Sequence, residues 1–202
     1  MKPTNRQPVR TSLGLYGGSF DPVHSAHLRV AQLALEQLSL DKVVFIPAAR
    51  SPLKSSSTFA SDSDRIEMLE LATAGEPRFE IDACEIERGG TSYAVDTVSL
   101  FRQRYSQCAL HWIIGADQLE LLPNWHRIHD LASHLTFVVL RRPGYCLDAP
   151  SIPGLQLIEL EAPLMEHSSS EIRRRLEAGL PCTDLLPCSV EAFISSRGLY
   201  TR

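Results

Sequence analysis

The sequence predicts an α/β protein built on a doubly wound parallel sheet, because short apolar runs alternate with longer amphipathic segments. The runs have the length and the apolar content of buried strands, and they occupy residues 13–16, 42–46, 109–114 and 136–140, with a final short one at 155–160. After the first run, apolar residues recur at helical spacing, at Leu28, Ala31, Leu35 and Leu38. Strands that alternate with helices form a parallel sheet through right-handed crossovers.

The composition is ordinary for a folded protein and excludes several other classes. The 202 residues suffice for one substantial core, with 44% apolar and 22% charged residues. A net charge of −4 provides no basic surface for nucleic acid, and no apolar run is long enough to span a bilayer. We therefore expect one cytoplasmic domain over residues 12–202, without nucleic-acid or membrane partners. The oligomeric state stays open, a homo-oligomer included.

The first residues and the cysteines add two further expectations. Residues 1–11 are polar, contain two prolines and lack the apolar core of a signal peptide, which predicts a disordered lead. The five cysteines are scattered without a CxxC pair, which is typical of reduced thiols. Cys182 and Cys188 have no matching pair of ligands at zinc spacing, so we expect no metal site there.

The segment GGSFDPVHSAH, which follows the first strand, predicts a phosphate site. A strand, a turn at Gly17 and Gly18, and a helix start bring backbone N–H groups and the positive end of a helix dipole together. His24 and His27 are three residues apart and therefore share a face of that helix. Each feature alone is common in ordinary turns, but their combination favours an anion. The segment fits neither the P-loop pattern nor GxGxxG.

Two later segments are candidates for contacts with a ligand. The strand over residues 109–114 ends in Gly115-Ala116-Asp117, and ligands of parallel sheets bind where strands end. Asp117 is suited either to accept hydrogen bonds from the hydroxyl groups of a ligand or to cap a helix. Trp125, beside His126, is either a plate on which a flat ring stacks or a buried anchor of its loop.

Three helix starts are marked by their sequences. A helix predicted over residues 61–74 contains Arg65, interpreted as a solvated arginine, and Met68, interpreted as a core residue. After the turn at residues 89–90, Thr91 or Ser92 is predicted to cap a helix that runs to about residue 105.

Near the chain end, Ser168 and Glu171 have the spacing of a capping box, and the arginines at 173–175 oppose the helix dipole. That conflict indicates an anionic ligand nearby.

GGSFDPVHSAH resembles the GG[ST]FDPxHxGH signature of nucleotidyltransferases that adenylylate or cytidylylate small phosphates. From about residue 13 to residue 200 the chain is similar to the bacterial nicotinate-nucleotide adenylyltransferases, with matching RRPG and SYxxDT elements. The resemblance implies a Rossmann-like nucleotidyltransferase domain with a small helical C-terminal extension at about 165–202. Two positions depart from the pattern: Ala26 replaces a glycine, and Leu53 replaces the histidine of a Pro-His-Lys step that keeps Lys54.

The resemblance also implies the reaction and the residues that serve it. ATP and nicotinate mononucleotide would give nicotinate adenine dinucleotide (deamido-NAD) and pyrophosphate in NAD biosynthesis, with Mg²⁺ carried by the ATP phosphates and few or no protein ligands. The implied catalytic residues are His24, His27, Lys54 and Arg173. The implied ATP contacts are Gly17, Gly18, Ser19, Phe20, Gly115, Asp117, Ser168, Ser169 and Ile172. The implied mononucleotide contacts are Ser92, Tyr93, Ala94, Trp125 and His126.

Three alternatives remain open at the level of the sequence. Nicotinamide mononucleotide is the first, because the features expected to contact the carboxylate are weaker than the phosphate site. Phosphopantetheine adenylyltransferase is the second, although the chain length and the Trp125 segment disfavour it. A non-catalytic nucleotide-binding sensor is the third, suggested by Ala26 and Leu53 and disfavoured by the intact His24, His27 and Arg173.

Overall fold

Six strands form one parallel sheet in the computed structural model, which describes residues 11–53, 57–141, 149–161 and 168–201. The strands are β1 (Ser12–Gly18), β2 (Lys42–Pro47), β3 (Phe79–Ile81), β4 (Ala109–Ile114), β5 (Thr136–Arg141) and β6 (Gln156–Glu161). Their order across the sheet is β3-β2-β1-β4-β5-β6, and each neighbouring pair is parallel. The predicted doubly wound parallel sheet is confirmed.

Helices connect these strands and follow the last one. They are α1 (Ser25–Gln37), α2 (Asp62–Thr73), α3 (Cys84–Arg88), α4 (Ala94–Arg104), α5 (Ala116–Leu119), α6 (Ile128–His134), α7 (Ser169–Glu177) and α8 (Cys188–Arg197), with a 3₁₀ turn at Leu122–Asn124. The sequence did not indicate α3. The predicted cap of α4 at Thr91 or Ser92 is wrong, because the N-cap residue is Tyr93, which makes no side-chain capping bond.

The two faces of the sheet carry separate hydrophobic cores. In β2, Val43 and Phe45 face one core while Val44 and Ile46 face the other, as alternation along a strand requires. The first core also holds buried residues from α1, α7 and α8, among them Ile172 and Val190. The C-terminal helices thus share the core of the sheet. The carbonyl of Leu185 also accepts a 2.9 Å hydrogen bond from the backbone of Ser25, at the start of α1.

Gly17 and Gly18 belong to β1 and do not form the predicted turn. Gly17 pairs with Ile46 and Gly18 with Pro47 in β2. A Cβ atom on Gly17 would lie 2.8 Å from the ring of Trp112, and one on Gly18 would lie 3.0 Å from the ring of Phe20. Both glycines are therefore required for close packing. The turn comes two residues later, where Phe20 has a φ of 47°.

The predicted lead falls on residues 1–10, which lie outside the described residues. Thr11, which the sequence included in that lead, is tied to the sheet, because its carbonyl accepts a 2.9 Å hydrogen bond from Ala109. None of the helices in the described part of the chain combines the length and apolar character that a bilayer-spanning segment needs.

Candidate active site

A cavity of about 560 Å³ opens where β1, β2 and β4 end. Its wall includes Ser19, Ala48 and Gly115, each of which directly follows one of these strands, together with residues from the starts of α1 and α7. The strand order changes direction between β1 and β4, and crevices at such points are the usual ligand sites of open parallel sheets.

His24 and His27 lie together in this cavity, as their spacing predicted. His24 is the N-cap residue of α1 and is 4% exposed. The two imidazoles stack with ring centroids 3.7 Å apart. The backbone N–H of His24 donates a 3.2 Å hydrogen bond to Nδ1 of His27. Because that nitrogen is an acceptor, the neutral imidazole of His27 carries its proton on Nε2 and can donate it to an anion.

The start of α7 faces the same cavity. Ser168 is the N-cap residue, and its hydroxyl accepts a 3.2 Å hydrogen bond from the backbone of Glu171. The hydroxyl of Ser169 donates to the carbonyl of Pro22 at 2.9 Å. Ser168, Ser169 and Arg173 all line the cavity. These contacts join the start of α7 to the loop that precedes α1.

Arg173 is the arginine of its cluster that reaches the cavity. Its Nη1 donates a 2.6 Å hydrogen bond to the carbonyl of Asp21, and its guanidinium carbon lies 4.4 Å from the ring centroid of Phe59. In contrast, Arg174 forms an ion pair with Glu171, and Arg175 donates to the carbonyl of Pro181. Of the three arginines predicted to oppose the helix dipole, Arg173 is therefore the one whose charge lies at the cavity.

Asp21 is a buried residue of this site that accepts hydrogen bonds from two distant segments of the chain. The sequence alone did not single it out. Its side chain is 3% exposed. One carboxylate oxygen accepts a 2.7 Å hydrogen bond from the backbone of Phe59, and the other accepts from the backbone of Ala60 at 3.1 Å and from the hydroxyl of Tyr200 at 2.7 Å. The phosphate motif contains Asp21, but the sequence alone offers helix entry as a sufficient reason for it.

Arg65 is fully buried, so its interpretation as a solvated arginine is wrong. Its guanidinium donates to the carbonyl of Ser19 at 2.6 Å and to the carbonyl of Ala48 at 2.7 Å, and it pairs with Asp62. Ser19 and Ala48 follow β1 and β2, so Arg65 ties together two edges of the cavity wall. Met68 is a core residue, as predicted.

Asp117 lines the cavity from the first turn of α5. A Cβ atom on Gly115 would lie 2.5 Å from the Asp117 carboxylate, so the glycine leaves the space that this carboxylate occupies. Tyr16 also lines the cavity. Burial, followed by the nearby charge of Asp117, raises the pKa of the Tyr16 hydroxyl, which therefore stays protonated at neutral pH.

The comparison with known proteins agrees with this geometry. The sequence model of the cytidylyltransferase-like family matches residues 15–175. A probable nicotinate-nucleotide adenylyltransferase of Geobacillus thermodenitrificans is 41% identical, over 93% of this chain and 85% of the relative. The nicotinate-nucleotide adenylyltransferase of Bacillus subtilis is 38% identical, over 93% of this chain and 97% of the relative.

The chain belongs to the nicotinate-nucleotide adenylyltransferases of the cytidylyltransferase-like family. The resemblance that GGSFDPVHSAH indicated is thereby confirmed. Among solved structures, the nicotinic acid mononucleotide adenylyltransferase of Plasmodium falciparum, complexed with NaAD, is similar with a TM-score of 0.75. That match covers 95% of this chain and 98% of the other at 17% identity, so it supports the shared fold alone.

In this adenylyltransferase none of the residues expected to contact the mononucleotide is among those that line the cavity. Ser92 connects them to its edge, because its hydroxyl accepts a 3.0 Å hydrogen bond from the backbone of Ala49 and its N–H donates to the carbonyl of Arg50. The ring of Tyr93 lies against that of His126, with centroids 4.4 Å apart. Ala94, which follows Tyr93 in the chain, is the first residue of α4.

Trp125 packs as an anchor of its loop, which is one of the two roles that the sequence left open; the stacking role stays a prediction. Its ring packs edge-on against Trp112 and Phe137, with centroid distances of 6.4 and 6.1 Å. Its indole Nε1 is buried and has no hydrogen-bond partner within the described part of the chain. The tryptophan is therefore an anchor of its loop that keeps an unused polar donor, which suits a residue that meets a ligand.

Several residues expected at the ATP site support its wall without reaching the cavity. Gly17 and Gly18 lie in β1. The buried ring of Phe20 packs against His27 and Phe45, and Ile172 is fully buried in the core. Lys54 lies outside the described residues. The structure thus brings together eight residues of the predicted set, namely His24, His27, Ser19, Gly115, Asp117, Ser168, Ser169 and Arg173.

Proposed function

We propose that this protein transfers the adenylyl group of ATP to nicotinate mononucleotide, giving nicotinate adenine dinucleotide and pyrophosphate in NAD biosynthesis. The observation that carries the proposal is the convergence of two helix starts on one cavity, with the stacked His24 and His27 on α1 and Arg173 on α7. The family to which the chain belongs and the activity named for its relatives support the same reaction.

The cavity has the charge distribution that a polyphosphate requires. The first turns of α1 and α7 both line the cavity, so the positive end of each helix dipole lies at it. His27 adds the Nε2 donor, and Arg173 adds a full positive charge. These groups come from opposite ends of the chain, so the site exists only in the folded domain.

In the proposed reaction the 5′-phosphate of the mononucleotide attacks the α-phosphorus of ATP in line. A new bond forms between that phosphorus and the attacking oxygen, and the bond to the bridging oxygen breaks, so that pyrophosphate departs with the electron pair. The attacking phosphate is already anionic at neutral pH and needs no protein base. Catalysis therefore consists of positioning and of stabilising negative charge.

The residues that the family resemblance implies have distinct parts in this step. His27 donates from Nε2 to an oxygen of the reacting phosphate, and His24, stacked on it, helps to hold the polyphosphate. Arg173 neutralises the departing pyrophosphate, with Lys54 as a second cation. Asp117 accepts hydrogen bonds from ribose hydroxyls. Trp125 and the start of α4 receive the pyridine ring, where backbone N–H groups favour a carboxylate.

Mg²⁺ would enter this site on the phosphates of ATP. Mg²⁺ prefers oxygen ligands, keeps several waters and usually takes one or two carboxylates in addition to phosphates. Among the described residues, no group of three or more His, Cys, Asp and Glu side chains is placed to hold a metal. Asp117 and the cavity serines offer oxygens, which fits an ion held mainly by phosphates and water. When bound, the ion would neutralise phosphate charge.

The proposal is tested by pyrophosphate release from Mg·ATP, with nicotinate mononucleotide and nicotinamide mononucleotide assayed in parallel. We expect faster release with the acid. Equal or faster release with the amide would keep the chemistry and change the acceptor. ATP binding without release for either acceptor would contradict adenylyl transfer and favour the sensor alternative.

A further inference from the structure

We propose that Tyr200, close to the end of the chain, is a positioning residue that sets the placement of Arg173 through Asp21. The inference rests on the proposed function, which assigns Arg173 to the departing pyrophosphate. It goes beyond that function because Tyr200 is not among the residues that line the cavity, and its position in the sequence gives no indication of a role there.

Tyr200 contacts Asp21 through its side chain. The tyrosine hydroxyl donates a 2.7 Å hydrogen bond to the buried carboxylate, across 179 positions of sequence. Burial, and then this hydrogen bond, raises the pKa of Tyr200, so the hydroxyl stays protonated and remains a donor. Tyr200 also has a φ of 62°, a conformation that non-glycine residues rarely adopt.

The same carboxylate also holds Phe59. The backbone N–H groups of Phe59 and Ala60 donate to the two carboxylate oxygens of Asp21, at 2.7 and 3.1 Å. The Phe59 side chain is 70% exposed. Core packing therefore constrains its ring weakly, and the orientation of the ring depends on the backbone that Asp21 fixes.

Both contacts are connected to Arg173. Its guanidinium donates to the Asp21 carbonyl at 2.6 Å and lies over the Phe59 ring at 4.4 Å, in the range of a cation–π contact. Arg173 is thus held by the main chain of Asp21 and by the ring of Phe59, in addition to the 3.1 Å hydrogen bond that its Nη2 donates to the Ser170 hydroxyl within α7. Since Tyr200 is one of three donors to the Asp21 carboxylate, loss of its hydroxyl would loosen the first two of these supports.

A second contact of the same chain end provides a matched control. Arg197, at the end of α8, donates to the carboxylate of Asp64 on α2 at 2.8 Å. This bond also docks the C-terminal segment, but it makes no contact with Asp21. Arg197→Gln should therefore weaken docking without acting on Arg173.

The experiment is a double-mutant cycle between Tyr200→Phe and Arg173→Ala, with Arg197→Gln as the control. Pyrophosphate release gives kcat and the KM for each substrate, and calorimetry gives the affinity for Mg·ATP. We expect Tyr200→Phe to lower kcat/KM for ATP, and the affinity for ATP, by about tenfold, a usual size of coupling between neighbouring residues. The KM for the mononucleotide should stay unchanged.

The decisive comparison is made in the Arg173→Ala background. If Tyr200 acts through Arg173, Tyr200→Phe has no further effect there, whereas Arg197→Gln changes thermal stability but neither kinetic constant in either background. An equal loss from Tyr200→Phe in both backgrounds, or a loss of thermal stability alone, would overturn the inference. A wild-type protein that binds ATP without releasing pyrophosphate would contradict the proposed function. The Mg·ATP affinities of the variants would in that case still show whether Tyr200 acts through Arg173.

Discussion

The backbone N–H of His24 donates to Nδ1 of His27, and the two imidazoles stack with centroids 3.7 Å apart. This pairing fixes both the ring plane of His27 and the nitrogen that carries its proton. A donor that is oriented before the substrate arrives needs little reorganisation as charge develops, which is the source of strong electrostatic catalysis.

Replacing His27 should therefore impair chemistry far more than binding. We expect His27→Ala to lower kcat by at least about 10²-fold, the usual scale for loss of a preorganised donor. His27→Gln should retain more activity, because its amide nitrogen can occupy the place of Nε2. The control is His129→Ala, at an exposed position of α6. Turnover of His27→Ala within a few-fold of wild type would exclude this role.

Ala26, which stands where the family usually has glycine, lies in the first turn of α1 and lines the cavity. In the proposed reaction its methyl group would narrow the space beside the ATP phosphates. Ala26→Gly should leave kcat unchanged or raise it, and should lower the free energy of unfolding by up to about 1 kcal/mol. Ala26→Val should change kcat in the opposite direction. Steady-state kinetics of both variants test this expectation. Loss of most of the activity in Ala26→Gly would contradict it.

Arg65 should be important for stability, because it satisfies two buried carbonyl groups. In Arg65→Met the carbonyls of Ser19 and Ala48 lose their donor, and an unsatisfied buried acceptor costs roughly 1–3 kcal/mol. We expect urea unfolding to show a loss of at least about 2 kcal/mol, twice the lower limit of that range. Arg78→Met, which removes an exposed pair with Glu76, is the control and should have little effect. Equal losses in the two variants would refute the role of Arg65.

His111 should make stability depend on pH. Burial within β4 lowers the pKa of its imidazole. Since the unfolded chain binds the proton more readily, the stabilisation is complete above the unfolded pKa of about 6.5 and is lost as the pH falls toward the native pKa. His111→Gln should flatten this dependence in urea titrations between about pH 7.5 and 5.5. The exposed His134→Gln is the control, and the same slope in wild type and His111→Gln would contradict the assignment.

The sequence predicted those parts of the fold that local patterns encode. The strand over residues 109–114 could be predicted because both faces of a central parallel strand are buried, which leaves a continuous apolar run. His24 and His27 could be placed together because helical spacing fixes their relation, and the serines before Arg173 marked the start of α7.

The remaining features depend on contacts between distant segments, which no local pattern records. Arg65 meets carbonyl groups 46 and 17 positions away, and the hydroxyl of Tyr200 meets Asp21 across 179 positions. Gly17 was interpreted as part of a turn, because its reason for being glycine, the ring of Trp112, belongs to a different strand. The roles of such residues become visible only in the folded structure.

The central claim is transfer of the adenylyl group, and it is tested most directly with ATP labelled at its α-phosphorus. The protein is incubated with this ATP, Mg²⁺ and nicotinate mononucleotide, and the products are separated. We predict that the label appears in nicotinate adenine dinucleotide and that the released pyrophosphate is unlabelled. Label that stays in ATP, or in AMP without any dinucleotide, would contradict the account.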